Sequence, residues 1–140
     1  MRLFLDANVL FAAAYSPDGR SAVLFALAGD VLCALSSSRH AIGEASRNLA
    51  LKAPEATPEL ERLLALVDIV PEADSRLVAW AADSGLPAND APILAAATAA
   101  RVDVLVTGDR THFGHLFDST VGGVTVLPPG AALARVLEAD

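Results

Sequence analysis

The stretch that decides the fold runs from residue 90 to residue 114 and reads DAPILAAATAARVDVLVTGDRTHFG. An acid and an early proline open an alanine-rich segment, which predicts a helix over Asp90–Arg101. The continuous apolar run that follows predicts a strand over Val102–Thr107 that is covered on both faces. It ends in a Thr-Gly-Asp turn at residues 107–109. A helix that leads directly into a buried strand is the repeating unit of a parallel α/β sheet.

The same alternation extends over the rest of the chain. Further apolar runs predict strands at Arg2–Asp6, Asp30–Leu35, Val67–Val70 and Val124–Leu127. Helices are predicted at Ser21–Ala28, Ser38–Leu51, Pro58–Leu66, Ser75–Ser84 and Gly130–Glu138. We therefore expect a three-layer α/β/α fold with a central, mostly parallel sheet of four to five strands. A chain of 140 residues suits one domain over residues 1–140.

Composition narrows the class of protein. Hydrophobic residues make up 54% of the chain and aromatic residues only 5%, so we expect a core of alanine, leucine and valine. No run approaches the ~18 apolar residues that a membrane helix needs, and Asp6 comes too early for a signal peptide. The lone Cys33 excludes an internal disulfide and a cysteine zinc cluster. These features predict a soluble cytoplasmic protein.

The charge balance limits how the chain could bind nucleic acid. A formal net charge of −7 argues against binding through a broad basic surface. It does not exclude an enzyme that acts on nucleic acid, because metal ions can supply positive charge beside a phosphate. Of the 10 lysine and arginine residues only Lys52 is a lysine, and the planar fork of arginine suits phosphate. A high-GC-type composition explains the same bias.

Four acidic residues stand where predicted strands end or predicted helices present an edge. Asp6 and Asp109 follow two strands, and open α/β sheets bind ligands beyond the carboxyl ends of their strands. Glu44 flanks the apolar stripe of its helix, and Asp90 opens another helix, at residues 90–101, on its buried side. Together they predict an oxygen-rich pocket of the kind that Mg²⁺ or Mn²⁺ prefers.

Each of these acids also has an explanation that needs no metal. Asp6 could cap a helix, and Asp109 could belong to an ordinary Gly-Asp turn. Glu44 could be a solvated helix residue. Asp90 could serve only as a helix cap at the positive end of the dipole. The metal-site hypothesis therefore depends on whether the four carboxylates meet at one rim of the sheet.

Four segments of the chain resemble the PIN-domain family of metal-dependent ribonucleases, many of which are VapC-like toxins of bacterial toxin–antitoxin pairs. The segments are MRLFLDANVLFAAA, SSSRHAIGEASRNLA, GLPANDAPILAAATAARVDVLVTGDRTHFG and VTVLPPGAALARVL. They span essentially the whole chain, so the resemblance implies a PIN-like fold. It also implies a set of catalytic, metal-binding acids, which would be Asp6, Glu44, Asp90 and Asp109.

The resemblance further implies a chemistry and partners. The reaction would be hydrolysis of RNA phosphodiesters with one or two Mg²⁺ or Mn²⁺ ions. Asn8 and Thr107 would support the ligands. By position in the chain, Arg110 and His112 follow Asp109 and could contact the RNA, and Arg20 lies on a loop that could face the crevice, although an exposed surface position also explains each of the three. As a toxin, the protein would bind a cognate antitoxin, and homodimers are common in the family.

Two other functions fit parts of the pattern. Phosphatases of the haloacid-dehalogenase type also place an aspartate after the first strand. Their second aspartate would stand where this chain has Asn8, and the sequence has no matching downstream lysine. A non-catalytic PIN-like module that binds RNA or a partner would keep the pocket without turnover. The complete set of acids argues against that alternative.

Overall fold

Within residues 1–139, the part of the chain that the computed structural model describes, six strands form one sheet. The strands are β1 (Arg2–Leu5), β2 (Ala34–Ser38), β3 (Val67–Val70), β4 (Val104–Val106), β5 (Thr120–Val121) and β6 (Val124–Leu127). Their order is β3-β2-β1-β4-β6-β5, and only β5 and β6 pair in antiparallel fashion. The mostly parallel sheet is confirmed, with six strands instead of four to five.

Eight α-helices of the described chain cover the two faces of this sheet. They are α1 (Ala7–Tyr15), α2 (Arg20–Gly29), α3 (Arg39–Lys52), α4 (Thr57–Leu64), α5 (Ser75–Ala82), α6 (Ala91–Ala99), α7 (Arg110–Phe113) and α8 (Pro129–Glu138). Leu3 and Leu5 of β1 pack with α1 to α4 and α8, whereas Phe4 packs with α5, α6 and α7. The predicted three layers are therefore present. None of the helices in residues 1–139 combines the length and the apolar character needed to cross a membrane.

Strand β2 lies further along the chain than the predicted strand at Asp30–Leu35, which was wrong in its bounds. Polar residues extend the strand, because the hydroxyls of Ser36 and Ser37 donate to the β1 carbonyl oxygens of Leu3 and Leu5, at 3.0 and 2.8 Å. Serines that are satisfied in this way can lie in a buried strand without hydrophobic character. An apolar pattern therefore ends the strand too early.

Three of the strands and α-helices in the described chain had no predicted counterpart, namely α1, β5 and the four-residue helix α7. Helix α1 is apolar along most of its length, since it packs against the sheet and against α2, α3 and α4, so it lacks the polar face that marks a surface helix. Strand β5 has only two residues, which is too short for a hydrophobic pattern to register. It pairs with β6 through a tight turn at Gly122 and Gly123, where φ is +60° and +82°.

The order of the strands places a crevice beside β1. From β1 the chain proceeds to β2 and β3 on one side, and then returns to β4 on the other side. Ligands of open α/β sheets bind at the carboxyl ends of the strands where the winding direction reverses. Here that point lies between β1 and β4, so Asp6 and the turn at residues 107–109 border the same crevice.

Candidate active site

All four predicted acids line one cavity at the carboxyl ends of β1 and β4. The cavity has a volume of about 330 Å³. Its acidic lining residues are Asp6, Glu44, Asp90 and Asp109. We call this space the acid cavity. The carboxylates thus converge from β1, α3, the start of α6 and the turn after β4, although more than a hundred residues separate the first from the last.

Asp6 is the most deeply buried of the four acids, with 2% of its surface exposed. It caps α1, because its Oδ1 accepts a hydrogen bond of 2.7 Å from the backbone N–H of Ala7. Its Oδ2 accepts from the Thr107 hydroxyl at 2.8 Å and from Asn8 Nδ2 at 3.1 Å. Asp6 therefore caps a helix and lines the cavity at once, so the two explanations of this residue do not exclude each other.

Burial governs the protonation of Asp6. Loss of solvent is the largest cause, together with the nearby charges of Asp90 and Glu44, of a carboxyl pKa that is raised from 3.8 to about 6. The hydrogen bonds from Thr107 and from the Ala7 N–H act in the opposite direction, since they stabilise the ionised form. A cation in the cavity would favour the same ionised form.

The turn after β4 is tied to the start of α1 by a network around Thr107. The Thr107 side chain is fully buried, and its hydroxyl accepts from Asn8 Nδ2 at 3.3 Å and from the Asp109 N–H at 3.2 Å. Asn8 Oδ1 in turn accepts from the Gly108 N–H at 2.7 Å. Asn8 lines the cavity, whereas Thr107 lies behind its wall and holds Asp6 and the turn in register.

Asp90 occupies the N-cap position of α6, but capping does not explain its side chain. Within residues 1–139 that side chain makes no capping hydrogen bond. Its Oδ2 instead lies 3.0 Å from Nδ1 of His112. Burial raises the pKa of Asp90, as do the charges of Asp109 and Glu44, while His112 and His40 lower it. Asp90 is the N-cap residue of α6, but its side chain is not used to cap the helix. The carboxylate is therefore available to the cavity.

His112 connects two of the acids. Its backbone N–H donates to Asp109 Oδ1 at 3.0 Å, and its Nδ1 lies 2.8 Å from Asp109 Oδ2 and 3.0 Å from Asp90 Oδ2. Ligand atoms of Asp90, Asp109 and His112 all lie within 4.8 Å of one another. The sequence predicted His112 as a substrate contact, and the structure places it within the acid cluster.

Glu44 is held by a residue that the sequence analysis did not single out. Asn89 Nδ2 donates to Glu44 Oε1 at 2.9 Å, and His40 Nε2 lies 2.9 Å from the carbonyl oxygen of Asn89. Asn48 and Lys52 also line the acid cavity. The signal for them was spacing, because residues 44, 48 and 52 recur every four positions and so share one face of α3.

Arg20 and Arg110 do not line the acid cavity. Both lie in the wall of an adjoining groove of about 760 Å³, together with Gly108. We call this space the arginine groove. Of the three residues predicted to contact substrate, the structure thus places His112 among the acids and the two arginines beside them.

The donors in the acid cavity suit a hard divalent cation. They are carboxylate oxygens with one imidazole nitrogen, and oxygen ligands of this kind favour Mg²⁺ or Mn²⁺ over softer metals. Among the described residues, His112 and Lys52 are the basic side chains in the wall. The four acids exceed these two in formal charge, and a bound cation would relieve the repulsion between them.

Comparison with known proteins gives both a family and a fold. The PIN domain family model matches residues 2–111. The chain is 22% identical to a Pyrobaculum aerophilum protein of known structure, with a TM-score of 0.70 and 98% of each chain covered. No curated protein matches the sequence.

Two further solved structures share the fold. VapBC2 from Rickettsia felis, bound to a DNA fragment from its promoter, is 16% identical with a TM-score of 0.65, over 91% of this chain and 98% of that chain. Mycobacterium tuberculosis VapC20, a toxin that cleaves the Sarcin-Ricin loop, is 17% identical with a TM-score of 0.57, over 78% and 91%. At such identities the likeness concerns the fold.

Proposed function

Because this chain belongs to the PIN-domain family, we propose that it is a metal-dependent ribonuclease that hydrolyses RNA phosphodiester bonds in the acid cavity. The observation that carries the proposal is the convergence of Asp6, Glu44, Asp90 and Asp109 at the reversal point of the sheet. A phosphodiester that enters this cavity would meet four carboxylates, which favours chemistry assisted by a cation between the acids and the phosphate.

Mg²⁺ or Mn²⁺ is the proposed cofactor. Asp6 and Asp90 would be its primary ligands, and Asp109 and Glu44 would bind it directly or through water. When bound, such an ion polarises a phosphoryl oxygen and lowers the pKa of a water nucleophile.

The protein's own part in the reaction is to hold these carboxylates in place. Thr107 and Asn8 fix one oxygen of Asp6, and the Ala7 N–H fixes the other. His112 bridges Asp90 and Asp109, which sets the distance between two groups from different elements. Such preorganised hydrogen bonds keep ligands at the geometry that the reaction requires.

We also propose that the protein is the toxin of a type II toxin–antitoxin pair. The proposal rests on the family and on the fold shared with the VapBC2 complex and with the toxin VapC20. A small antitoxin that covers the acid cavity would silence it, and an arginine from that partner could pair with the acids. The phosphatase alternative is weakened because Asn8 occupies the position of the second aspartate of such enzymes. Its side chain is hydrogen-bonded to Asp6 and to the Gly108 N–H.

The experiment is to compare RNA cleavage by the wild type and by Asp90→Asn in millimolar Mg²⁺ or Mn²⁺. We expect the wild type to cut RNA and to stop when the metal is chelated. Loss of the Asp90 charge should lower the rate by at least about 100-fold, because the substitution removes a primary ligand without changing the side-chain volume.

The matched control is Asp74→Asn, which makes the same change at an exposed N-cap. Asp74 caps α5, where its Oδ1 accepts from the Leu77 N–H at 2.9 Å, and it does not belong to the wall of the acid cavity within residues 1–139. This variant should cut RNA like the wild type. Normal cleavage by Asp90→Asn would contradict the proposed mechanism.

A further inference from the structure

We propose that the arginine groove is a phosphate-binding subsite, which holds a phosphate of the RNA strand next to the one that is cut. The inference rests on the proposed ribonuclease function and extends it to the path of the substrate. Gly108 and Arg110 lie in the wall of the groove, and Asp109 between them lies in the wall of the acid cavity. One residue of backbone therefore separates the two spaces.

The charge of the groove is opposite to that of the chain as a whole. The protein carries 17 acidic residues, yet none of the described residues in the groove wall is acidic, while two are arginines. Neither Arg20 nor Arg110 forms an ion pair with another residue of the described chain. Their guanidinium groups are thus free to bind a phosphate, which they can do through two parallel hydrogen bonds.

Two helices begin at this groove. Residues 19–21 at the start of α2 and residues 128–130 at the start of α8 all belong to its wall. In the described part of the chain, neither start is capped by a side chain. Each helix has ten residues, and each directs backbone N–H groups and the positive end of its dipole to this end. Such helix ends bind phosphate.

Arg20 links the two helix starts. A Cβ atom on Gly130 would lie 2.9 Å from Arg20 Nη1 and 3.6 Å from its Cζ, so the guanidinium packs directly against the glycine backbone. Gly130 leaves the space that the arginine occupies. The charge of Arg20 is therefore positioned over the start of α8, although the residue belongs to α2.

The hydroxyl of Ser21 supports the assignment independently of charge and of the helix ends. Ser21 is only 7% exposed and lines the groove. Within residues 1–139 its hydroxyl has no hydrogen-bond partner, whereas every fully enclosed polar side-chain atom there has one. The hydroxyl is therefore accessible to solvent, and Ser21 borders the groove. A serine hydroxyl is a common donor to phosphate oxygens in nucleic-acid complexes.

The position of the groove favours a phosphate of an RNA strand over other anions. A strand with its scissile phosphate among the four acids would pass over Gly108, which presents backbone without a side chain. Its next phosphate would then approach Arg110 and the two helix starts. The positive groove also explains how an acidic protein could hold RNA, because the arginines attract the strand that the acid cavity repels.

The test is the binding of a short single-stranded RNA oligonucleotide without divalent metal, measured by fluorescence anisotropy over a range of salt concentrations. Arg20→Gln and Arg110→Gln should each weaken binding about tenfold and lower the salt slope by about 0.7 for each lost phosphate contact. Arg76→Gln, a change at an exposed arginine of α5, is the matched control and should leave both quantities unchanged. Equal binding by all variants, or a wild type that binds no RNA, would overturn the proposal.

A second variant alters the groove without changing its charge. Gly130→Ala should displace the Arg20 side chain and weaken RNA binding several-fold, whereas Gly29→Ala, where an added Cβ meets no atom within 4 Å, should have no such effect. Inorganic phosphate should compete with RNA on the wild type but not on the Arg20→Gln/Arg110→Gln double variant. An oligoglutamate peptide tests whether the groove binds an acidic segment of a protein partner instead of RNA. Binding of this peptide that depends on the arginines, with RNA binding unaffected, would assign the groove to an acidic protein partner and overturn the RNA subsite.

The two proposals can fail separately. If the wild type cuts RNA while both arginine variants keep the same affinity and the same KM, the subsite is wrong and the nuclease stands. If RNA binding depends on the arginines but no RNA is cut in Mg²⁺ or Mn²⁺, the nuclease is wrong, and the arginine groove is a site for an RNA phosphate that does not lie beside a scissile bond. We expect cleavage with a raised KM and a nearly unchanged kcat in the arginine variants.

Discussion

At the scale of single residues, Asp6 shows what it costs to place a carboxylate at the reversal point of the sheet. The residue ends β1, caps α1 and lines the acid cavity, and these three positions leave it almost without solvent. Hydrogen bonds from Thr107, Asn8 and the Ala7 N–H offset part of the cost of burying a charge. The part of this cost that the hydrogen bonds do not offset raises the pKa of Asp6 to about 6.

This raised pKa predicts a stability that depends on pH in a definite direction. At a pH below 3.8 the carboxyl is protonated in the folded and unfolded chains alike, so it imposes no cost of ionisation. As pH rises, the unfolded chain releases the proton first, and the folded chain follows near pH 6. Stability from this group therefore falls as pH rises through that interval.

We compare the free energies of unfolding of Asp6→Asn and of the wild type. The difference in favour of Asp6→Asn should grow by about 1.5 kcal/mol as the pH rises from about 5 to about 7.5. Urea unfolding of both proteins without divalent metal measures the difference. Asp74→Asn, at an exposed cap, should show no comparable change with pH. A constant difference between Asp6→Asn and the wild type over this range would contradict the assigned pKa.

The sequence could predict which acids meet, but not how each is used. Asp6 and Asp109 follow strands, so a parallel sheet brings them to one edge whatever their side chains do. For Asp90 the pattern of acid, alanine and proline fits a capping side chain as well as a cavity-facing one, and only the structure shows its oxygen beside His112. Arg20 was predicted as a substrate contact on a loop that faces the same crevice as the acids, but it lines a separate groove.

At the scale of elements, the hairpin of β5 and β6 shows how a short strand is secured at the sheet edge. Both glycines of its turn have positive φ. An added Cβ on Gly122 would lie 2.5 Å from Cη2 of Trp80 on α5 and 3.0 Å from Cγ2 of Thr98 on α6. On Gly123 it would meet no atom within 4 Å. The turn is thus packed on one side and open on the other.

These two glycines form a matched pair for mutation. Gly123→Ala should destabilise the protein by about 1 kcal/mol, because the only cost is that of holding alanine in a left-handed backbone conformation. Gly122→Ala has the same backbone cost and also displaces the Trp80 ring, so we expect a total destabilisation of about 2–3 kcal/mol. Thermal and urea unfolding measure both values. If Trp80→Leu does not narrow the difference between the two alanine variants, the ring is not its cause.

The elements that the sequence predicts well are those that a single physical rule determines. Strands at Val67–Val70 and Val124–Leu127 have the predicted bounds, because apolar runs between turn residues leave little choice. Strand β2 escapes that rule because its serines are satisfied by β1, which is a partner distant in sequence. Helix α1 was not predicted because it is buried on several sides and therefore has no polar face that a helical pattern could reveal.

At the scale of the whole molecule, the strand order determines which residues can act together. Alternating helices and strands predict a parallel sheet, but many orders satisfy that alternation, and the one observed depends on contacts between distant segments. The order puts β4 beside β1, so the acid cavity and the arginine groove share the turn at residues 108–110. Resemblance to the PIN-domain family implied the fold and the set of four acids, whereas the strand order and the arginine groove were not predicted.

The acid cavity should make the stability of the whole protein depend on divalent metal. Without metal, the four acids repel one another, and Asp90→Asn should be at least as stable as the wild type because one charge is removed. With Mn²⁺ at about 100 times its Kd, the wild type should gain about 2.7 kcal/mol, which corresponds to several degrees in Tm. Asp90→Asn should lose most of that gain, so the order of the two stabilities reverses when metal is added.

Differential scanning fluorimetry of the wild type, Asp90→Asn and Asp74→Asn, each with and without Mn²⁺, measures this reversal. The Tm of Asp74→Asn should rise with metal as much as that of the wild type. Because protons compete with the metal for Asp6 and Asp90, whose pKa values are raised, the rise in Tm should shrink as pH falls toward 6. An equal rise in all three proteins would mean that the ion binds elsewhere, and the acid cavity would then lose its assignment as the metal site.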